Sequence, residues 1–415
     1  MLSYSFGITL FEPPSMIYRF AVLMDKSIPK SLGQKEIAAY CYKVTVIWVV
    51  FFIINGIVAA FTVFFGSDLF WAIYNGGVAN VLMGSLFAGE FIVRKIVDKK
   101  IPKAFPLSSF KSKSRSLSHV ICYEGAWNDG IHKTWGDFLK ETSALRKKIE
   151  PVEGNIWLLY CEDCWHFLVA FTALLQCKKE IIVSCNISNA YISEIREDVN
   201  FLTDHIFPID GIERYSFKKT FLITSILSEN RHEGIYECPK ITSDKTSIVL
   251  FPLASPEAPK AIKQRLTELE NDNAKILSMW GRELLNSKFC STVNQHNIYG
   301  LLFSILLPFT AGIPFRREVM VPEEFIKLND SGYTIITSAA FLERGAEFLR
   351  QKGISNKSTW VFVSNGELNP ELAGETSEIF GFWPIEINLA THEIPGGIAW
   401  RQSNKSLEWT PFGNV

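Results

Sequence analysis

Two long stretches almost free of charge set the limits on what this chain can fold into. Residues 44–65 hold no charged side chain, and residues 69–93 hold only Glu90. As helices, rising about 1.5 Å per residue, each is long enough to cross a hydrocarbon core of about 30 Å. Only Gly66, Ser67 and Asp68 separate them, so the pair predicts a transmembrane α-hairpin. A secretory signal peptide is excluded, because residues 1–43 precede the first stretch and the second follows at once. Arg19, Lys26, Lys30, Lys35 and Lys43 stand before the hairpin, and Arg94, Lys95, Lys99, Lys100 and Lys103 stand after it. The positive-inside rule then puts both flanks in the cytoplasm and the short turn outside. Gly76, Asn80, Gly84 and Ala88 recur every fourth residue, a small-residue stripe that lets a partner helix approach closely. Asn55, Asn75 and Asn80 read as interhelical hydrogen-bonding groups; a transport path built on them is the alternative and would require an oligomer.

Four segments follow from this hairpin: an N-terminal cytoplasmic segment 1–42, the hairpin 43–97, a linker 98–118 and a soluble domain 119–415. The linker carries Pro102, Pro106, six serines, Lys111, Lys113 and Arg115, which suits either a basic tether at an anionic bilayer or plain solubilising punctuation. A formal net charge of −1 gives no reason to expect nucleic acid as a partner. Eight cysteines in 415 residues fall short of a disulfide scaffold and suit reduced thiols. Cys161 and Cys164 form a lone C-x-x-C, which reads as a redox or metal pair or as two side chains packed around a helix start.

From about His119 short apolar runs alternate with helical patterns. Residues 156–160, 181–185, 221–224, 248–251, 333–337, 360–363 and 385–389 read as strands, and 163–176 and 261–284 as helices. This alternation predicts βαβ units and an α/β domain with a parallel sheet. The apolar run 298–313, interrupted by Pro308, is too short to span a bilayer and reads as a buried helix. Residues 246–262, TSIVLFPLASPEAPKAI, carry a strand into a short loop, with a helical pattern starting after Lys260. Strand, turn and helix N-terminus are the parts of an anion cradle, because the first helical N–H groups are unpaired and the dipole is positive there. The loop nevertheless contains no glycine, Pro252 and Pro256 remove donors, and Glu257 adds a like charge.

The order of motifs in 119–415 resembles the adenylate-forming (AMP-dependent) acyl-CoA synthetase and ligase superfamily, in its bacterial form fused to a membrane segment. The residues that carry the resemblance are Thr134-Trp135-Gly136-Asp137-Phe138, Leu159-Tyr160-Cys161-Glu162-Asp163 and Gln295-His296-Asn297-Ile298-Tyr299-Gly300. Val363-Ser364-Asn365-Gly366-Glu367-Leu368 is similar to the family's adenine-binding turn, and Gly396-Gly397-Ile398-Ala399-Trp400-Arg401 to the close of its acyl-adenylate motif. Arg19-Phe20-Ala21 and Phe87-Ala88-Gly89-Glu90 match the same fused architecture.

The resemblance implies two-step chemistry. A carboxylate oxygen attacks the α-phosphorus of ATP and releases pyrophosphate, and a thiol then displaces AMP from the acyl-adenylate. It implies ATP and Mg²⁺ as cofactors, a fatty or aryl acid as substrate, and coenzyme A or an acyl carrier protein as thiol partner. Ser255 and Lys260 fall on the phosphate loop, Asn365 and Gly366 near adenine, His296 and Glu393 among the catalytic positions, with Glu393 also nearest the magnesium position. A lipid bilayer partner and a bacterial inner-membrane location, with the α/β domain in the cytoplasm, complete the picture. The match also shows departures. Of the family's loop pattern only Ser255, Pro259 and Lys260 stand, Ile394 holds the magnesium Glu position, and Asn297 holds the usual histidine position. No ribose-binding Asp motif or lid lysine occurs before Val415. The expected fold is therefore the large N-terminal α/β domain without its C-terminal lid, and an impaired ligase stands beside a non-catalytic membrane-tethered binding module as the alternative.

Overall fold

A computed structural model describes the chain except for residues 1, 25–27, 29–31, 99–101, 185–197, 206–216, 230–237, 243–245, 252–260, 329–331, 354–359, 365–367, 390–397, 403 and 413–415. It divides into two units, Met1–Lys103 and Ala104–Val415.

The first unit is helical. It comprises α1 (Leu2–Phe11), α2 (Met16–Met24), α3 (Gln34–Phe65) and α4 (Asp68–Val97), the last two long and apolar enough to cross a membrane. Ser67 caps α4, its hydroxyl accepting the Phe70 N–H, so the tight turn costs no unpaired donor. One π turn, Tyr74–Val78, interrupts α4. The hairpin is fastened by Tyr74 Oη donating to Asn55 Oδ1 at 2.8 Å and by Trp48 against Phe87 at 4.5 Å. Asn55 is thus the interhelical link expected of it, whereas the side-chain amides of Asn75 and Asn80 donate back to their own helix, to Trp71 O and Gly76 O. The small-residue stripe does not face α3: Gly76, Asn80, Gly84 and Ala88 are all exposed. Glu90, the lone charge of the second stretch, pairs with Arg94 at 2.7 Å and accepts from Tyr40 at 3.2 Å.

The second unit is α/β. Among the described residues one sheet has strand order β15-β14-β13-β12-β11-β9-β10-β1-β2 and a second β6-β5-β3-β4-β7-β8, in which β2 is Ile131–Thr134, β6 Thr220–Leu222 and β15 Thr410–Pro411. The strands that matter below are β1 (Val120–Glu124), β3 (Ile156–Tyr160), β4 (Glu180–Ser184), β5 (Asn200–Thr203), β7 (Ser247–Phe251), β8 (Ile262–Arg265), β9 (Lys288–Ser291), β10 (Phe315–Arg316), β11 (Tyr333–Ser338), β12 (Trp360–Ser364), β13 (Ile385–Asn388) and β14 (Ala399–Arg401). Neighbouring strands run parallel except in the pairs β1–β2, β7–β8, β13–β14 and β14–β15, which are antiparallel, and the helices between the parallel strands cover the faces. These helices are α5 (Trp135–Ile149), α6 (Cys164–Gln176), α7 (Ile223–Glu229), α8 (Leu266–Leu284), α9 (Ile298–Ala311), α10 (Ala339–Gln351) and α11 (Pro370–Phe380). Side chains from β11, β12, α10 and α11, among them Ile335, Val361, Leu342 and Phe380, make one core cluster.

The Thr134-to-Phe138 motif starts α5: Thr134 Oγ1 accepts the Asp137 N–H while Asp137 accepts the Thr134 N–H, a reciprocal capping box. The run 298–313 is the buried helix expected, with a π segment at Leu301–Leu306 running up to Pro308, which supplies no N–H to the ladder.

Three expectations are corrected. Residues 261–284 are not one helix: Ile262–Arg265 form β8, antiparallel to β7 with Leu250 opposite Ile262, and α8 begins only at Leu266. Ile262, Lys263, Gln264 and Arg265 alternate in burial, the period of a strand. Strand 221–224 is cut to Thr220–Leu222, where Ile223 turns its side chain into the core as the first residue of α7. Finally, residues 104–118 are no tether. Leu107 and Phe110 are buried, Ser108 bonds Glu270 through both its N–H and its hydroxyl, and Arg115 donates to Phe309 O and Thr310 O, capping the carbonyls at the end of α9.

Candidate functional site

In an open parallel sheet the carboxyl ends of the strands face a crevice, and the crevice is deepest where successive connections leave in opposite directions. Each sheet has such a point. In the smaller one β3 is followed across the sheet by β4 on one side while β5 lies on its other side; in the larger, β9 is flanked in the same way by β10 and β11. The two points meet. Leaving β9, His296 Nε2 accepts the N–H of Cys161, the residue that leaves β3, at 3.3 Å, and the Gln295 side-chain amide donates to Cys161 O. Gln295 Oε1 also accepts the Cys164 thiol at 3.3 Å.

His296 is therefore a joint between two sheets. It is 2% exposed, its ring lies parallel to Tyr160 at 4.5 Å, and Phe167 meets it edge-on at 5.9 Å. Burial holds its pKa down to about 4, against a weaker upward pull from Asp204, so the ring is neutral at pH 7. One residue on, Asn297 caps α9 by accepting the Gly300 N–H at 2.8 Å. Gly300 is required by space: a Cβ there would lie 1.8 Å from Asn294 O. The Cys161 and Cys164 thiols are fully buried and burial pushes both upward, which leaves them as packing around the start of α6 and keeps them from acting as thiolates.

Beside this joint lies a charge network that the sequence does not announce. Asp163 caps α6, its Oδ1 accepting from Trp165 N and His166 N, and its Oδ2 pairs with Arg317. Arg317 also binds Glu124 at 2.9 Å. His166 Nδ1 meets Asp204 Oδ2 at 3.2 Å while its Nε2 faces Arg317, an arrangement satisfied by the Nδ1–H tautomer. Asp204 further accepts the N–H groups of Glu162 and Asp163, both at 3.1 Å. Burial raises its pKa, but the His166 and amide hydrogen bonds outweigh that and hold it below the ordinary carboxylate range. The polar atoms of this network are spent on each other. Among the described residues no cluster of His, Cys, Asp and Glu is placed to hold a metal ion.

Of the expected site residues, Ser255 and Lys260 (252–260), Asn365 and Gly366 (365–367) and Glu393 (390–397) lie outside the described residues. The strands that lead to them are described. Segment 252–260 follows β7, 365–367 follows β12 and 390–397 follows β13, so each departs from a carboxyl end on the edge where His296 stands. One buried carboxylate links the described residues beyond two of these segments: Glu386 on β13, 0% exposed, accepts the Leu368 N–H at 2.9 Å and pairs with Arg401 on β14 at 2.8 Å. A cavity of about 280 Å³ borders the same edge, lined by the polar Gln264, Glu268, Asn271, Asp272 and Lys275 and by the apolar Ile298, Leu302, Leu389 and Ile398. Leu389 and Ile398 are the residues on either side of 390–397.

The sequence matches no protein-family model and no curated protein. Solved structures are similar in fold. ATP-bound MatB from Rhodopseudomonas palustris superposes with a TM-score of 0.57 at 11% identity, over 71% of this chain and 62% of that one. The N-terminal subdomain of Klebsiella oxytoca NpsA, in complex with 3-hydroxybenzoyl-AMSN, gives 0.54 at 13% identity over 74% of this chain and 79% of that one. Unliganded O-succinylbenzoate coenzyme A synthetase (MenE) from Bacillus subtilis gives 0.53 at 12% identity over 67% and 57%. The chain spans about 60% of the length of the ATP-bound MatB structures. The α/β unit has the fold of the adenylate-forming enzymes, as the order of its motifs implies.

Proposed function

We propose that the chain is a membrane-anchored protein of the adenylate-forming type, whose carboxyl edge receives a nucleotide and a carboxylic acid. The observation that carries this reading is convergence: segments 252–260, 365–367 and 390–397, and His296, all leave parallel strands at one edge of a fold shared with ATP-bound MatB. On this reading Lys260 and Ser255 face phosphate, Asn365 and Gly366 face adenine, and Glu393 is the residue nearest any magnesium ion. His296, engaged through Nε2 and by stacking, sets the distance between the sheets at the point where the acid and phosphate meet. In the first step the acid's carboxylate oxygen bonds to the α-phosphorus and pyrophosphate leaves; in the second a thiol, of coenzyme A or an acyl carrier protein, takes the acyl group and AMP leaves. The 280 Å³ cavity at this edge, with Lys275 beside the apolar side chains of Ile298 and Leu302, is where the acid would be received. Helices α3 and α4 anchor the chain in a bacterial inner membrane with the α/β unit on the cytoplasmic side, as the flanking basic residues favour.

The test is acid-dependent pyrophosphate release from ATP by the full chain in detergent, across aryl, short-chain and long-chain acids. Release with at least one of these acids is the expected result; none with any acid refutes catalysis. A second reading, a non-catalytic binding module, is favoured by the glycine-free 252–260 sequence with Pro252, Pro256 and Glu257. Calorimetry separates the two: acid binding without ATP or AMP binding supports the second, and tight nucleotide binding overturns it.

A further inference from the structure

We propose that α1 is itself embedded in the bilayer, lying against α3 as a partial span that contacts lipid acyl chains. The inference rests on α3 and α4 being membrane-spanning helices. Residues 1–42 contain no run long enough to cross, which is why the sequence alone assigns them to water. The packing of the first unit points elsewhere.

Residues 2–11 carry no charge; the first charged groups, Glu12 and Arg19, sit at and just beyond the turn into α2. Arg19 closes that turn, donating from Nε to Pro14 O at 2.8 Å and from Nη2 to Glu12 O at 3.0 Å, and Thr9 Oγ1 accepts the Met16 N–H at 2.9 Å. The turn is pinned at the start of the uncharged part of α3, where Ile17 N–H donates to Thr45 Oγ1 at 3.3 Å. From there α1 runs along α3, and Phe6 meets Phe52 edge-on at 5.5 Å. Phe52 is eight residues past Val44, about 12 Å into the apolar run at a helical rise of about 1.5 Å, which approaches the middle of a core of about 30 Å. If α3 crosses the membrane, Phe6 lies at that depth with it.

The outward face of α1 suits this depth. Tyr4, Ile8 and Phe11 are exposed, as are Ile54, Ile57 and Phe61 on α3, so the apolar surface of α1 continues that of the spanning helix. The polar side chain that points inward, Thr9, donates to Phe6 O at 2.7 Å, so its hydroxyl hydrogen is paired within the helix. The charges stay at the turn, at the level of Thr45, where an interface would place them.

The experiment uses the unmodified full chain in phosphatidylethanolamine–phosphatidylglycerol vesicles that contain a lipid with a diazirine at the middle of one acyl chain. After photolysis, peptide mass spectrometry reads the label on each helix. The expected result is a yield on the peptide bearing Tyr4, Ile8 and Phe11 equal to that on the peptide bearing Phe61 and Phe64. Label on the α3 peptide with none on α1 overturns the proposal and leaves the spanning reading intact, and it includes the case in which another protein covers α1. Label on neither overturns both.

Discussion

Replacing Arg401 by Met should destabilise the larger sheet strongly, and about half of the loss should come back when Glu386 is replaced as well. Glu386 and Arg401 stand directly opposite each other on β13 and β14, and both are buried. The same carboxylate oxygen that accepts from Arg401 Nε at 3.1 Å and Nη2 at 2.8 Å also accepts the Leu368 amide. Removing the guanidinium leaves a desolvated carboxylate with one amide donor, a change that costs about 3–5 kcal/mol. Replacing both partners with apolar residues removes the buried charge altogether, and the remaining loss is the orphaned Leu368 N–H, about 1–3 kcal/mol. Urea unfolding of R401M, E386L and R401M/E386L, followed by tryptophan fluorescence in detergent, measures the cycle. The double variant should be more stable than R401M by about 2 kcal/mol. If the two single losses add to within about 0.5 kcal/mol, the pair is not coupled and its burial is not what makes it costly to break.

Further outcomes follow from the same edge. The folded pKa of His296, about 4, lies below the ordinary value of 6.5, so the native state binds fewer protons between those values, and stability present above pH 6.5 should be lost as pH falls toward 4. The loss approaches about 3 kcal/mol by linkage, and H296Q should flatten the acid limb of a pH series of urea midpoints. G300A should fail to fold or unfold at much lower urea, since its Cβ would sit 1.8 Å from Asn294 O, a backbone atom that cannot rotate away. N297A, which only uncaps α9, should cost about 1 kcal/mol, so equal losses in the two variants refute the steric account. If 252–260 faces phosphate, K260A should weaken ATP binding about tenfold or more in calorimetry, as expected for a lost charge-assisted contact, with the urea midpoint unchanged.

Much of this architecture was legible because it rests on period and punctuation. The uncharged runs of α3 and α4, the strand β3, and the helical pattern that starts at Asp163 are local signals, and local signals survive folding. What was not legible depends on partners distant in sequence. Glu386 reads as a stray charge in an apolar strand until Arg401 is placed opposite it. Arg317 reads as an ordinary surface residue until β10 carries it to Asp163 and Glu124. The linker serines and Arg115 have the composition of a tether, yet docking depends on the exposed carbonyls of α9, which no property of 104–118 itself reveals.

The hairpin β7–β8 changes what segment 252–260 must do if it holds an anion. With Leu250 opposite Ile262 and α8 starting at Leu266, the loop joins two antiparallel strands, and the positive end of a helix dipole is not its continuation. Any phosphate there depends on the loop's own N–H groups and on Lys260. Pro252, Pro256 and Pro259 take three of those donors away, and Glu257 opposes the charge of Lys260. Lys260 then carries a larger share of nucleotide binding than in a glycine-rich cradle. Charge reversal at Glu257 is the sharper probe: E257K should tighten ATP binding if phosphate sits at the loop and leave it unchanged if the loop binds none. An unchanged affinity for E257K together with unaltered binding of a carboxylic acid would assign the site to the acid alone.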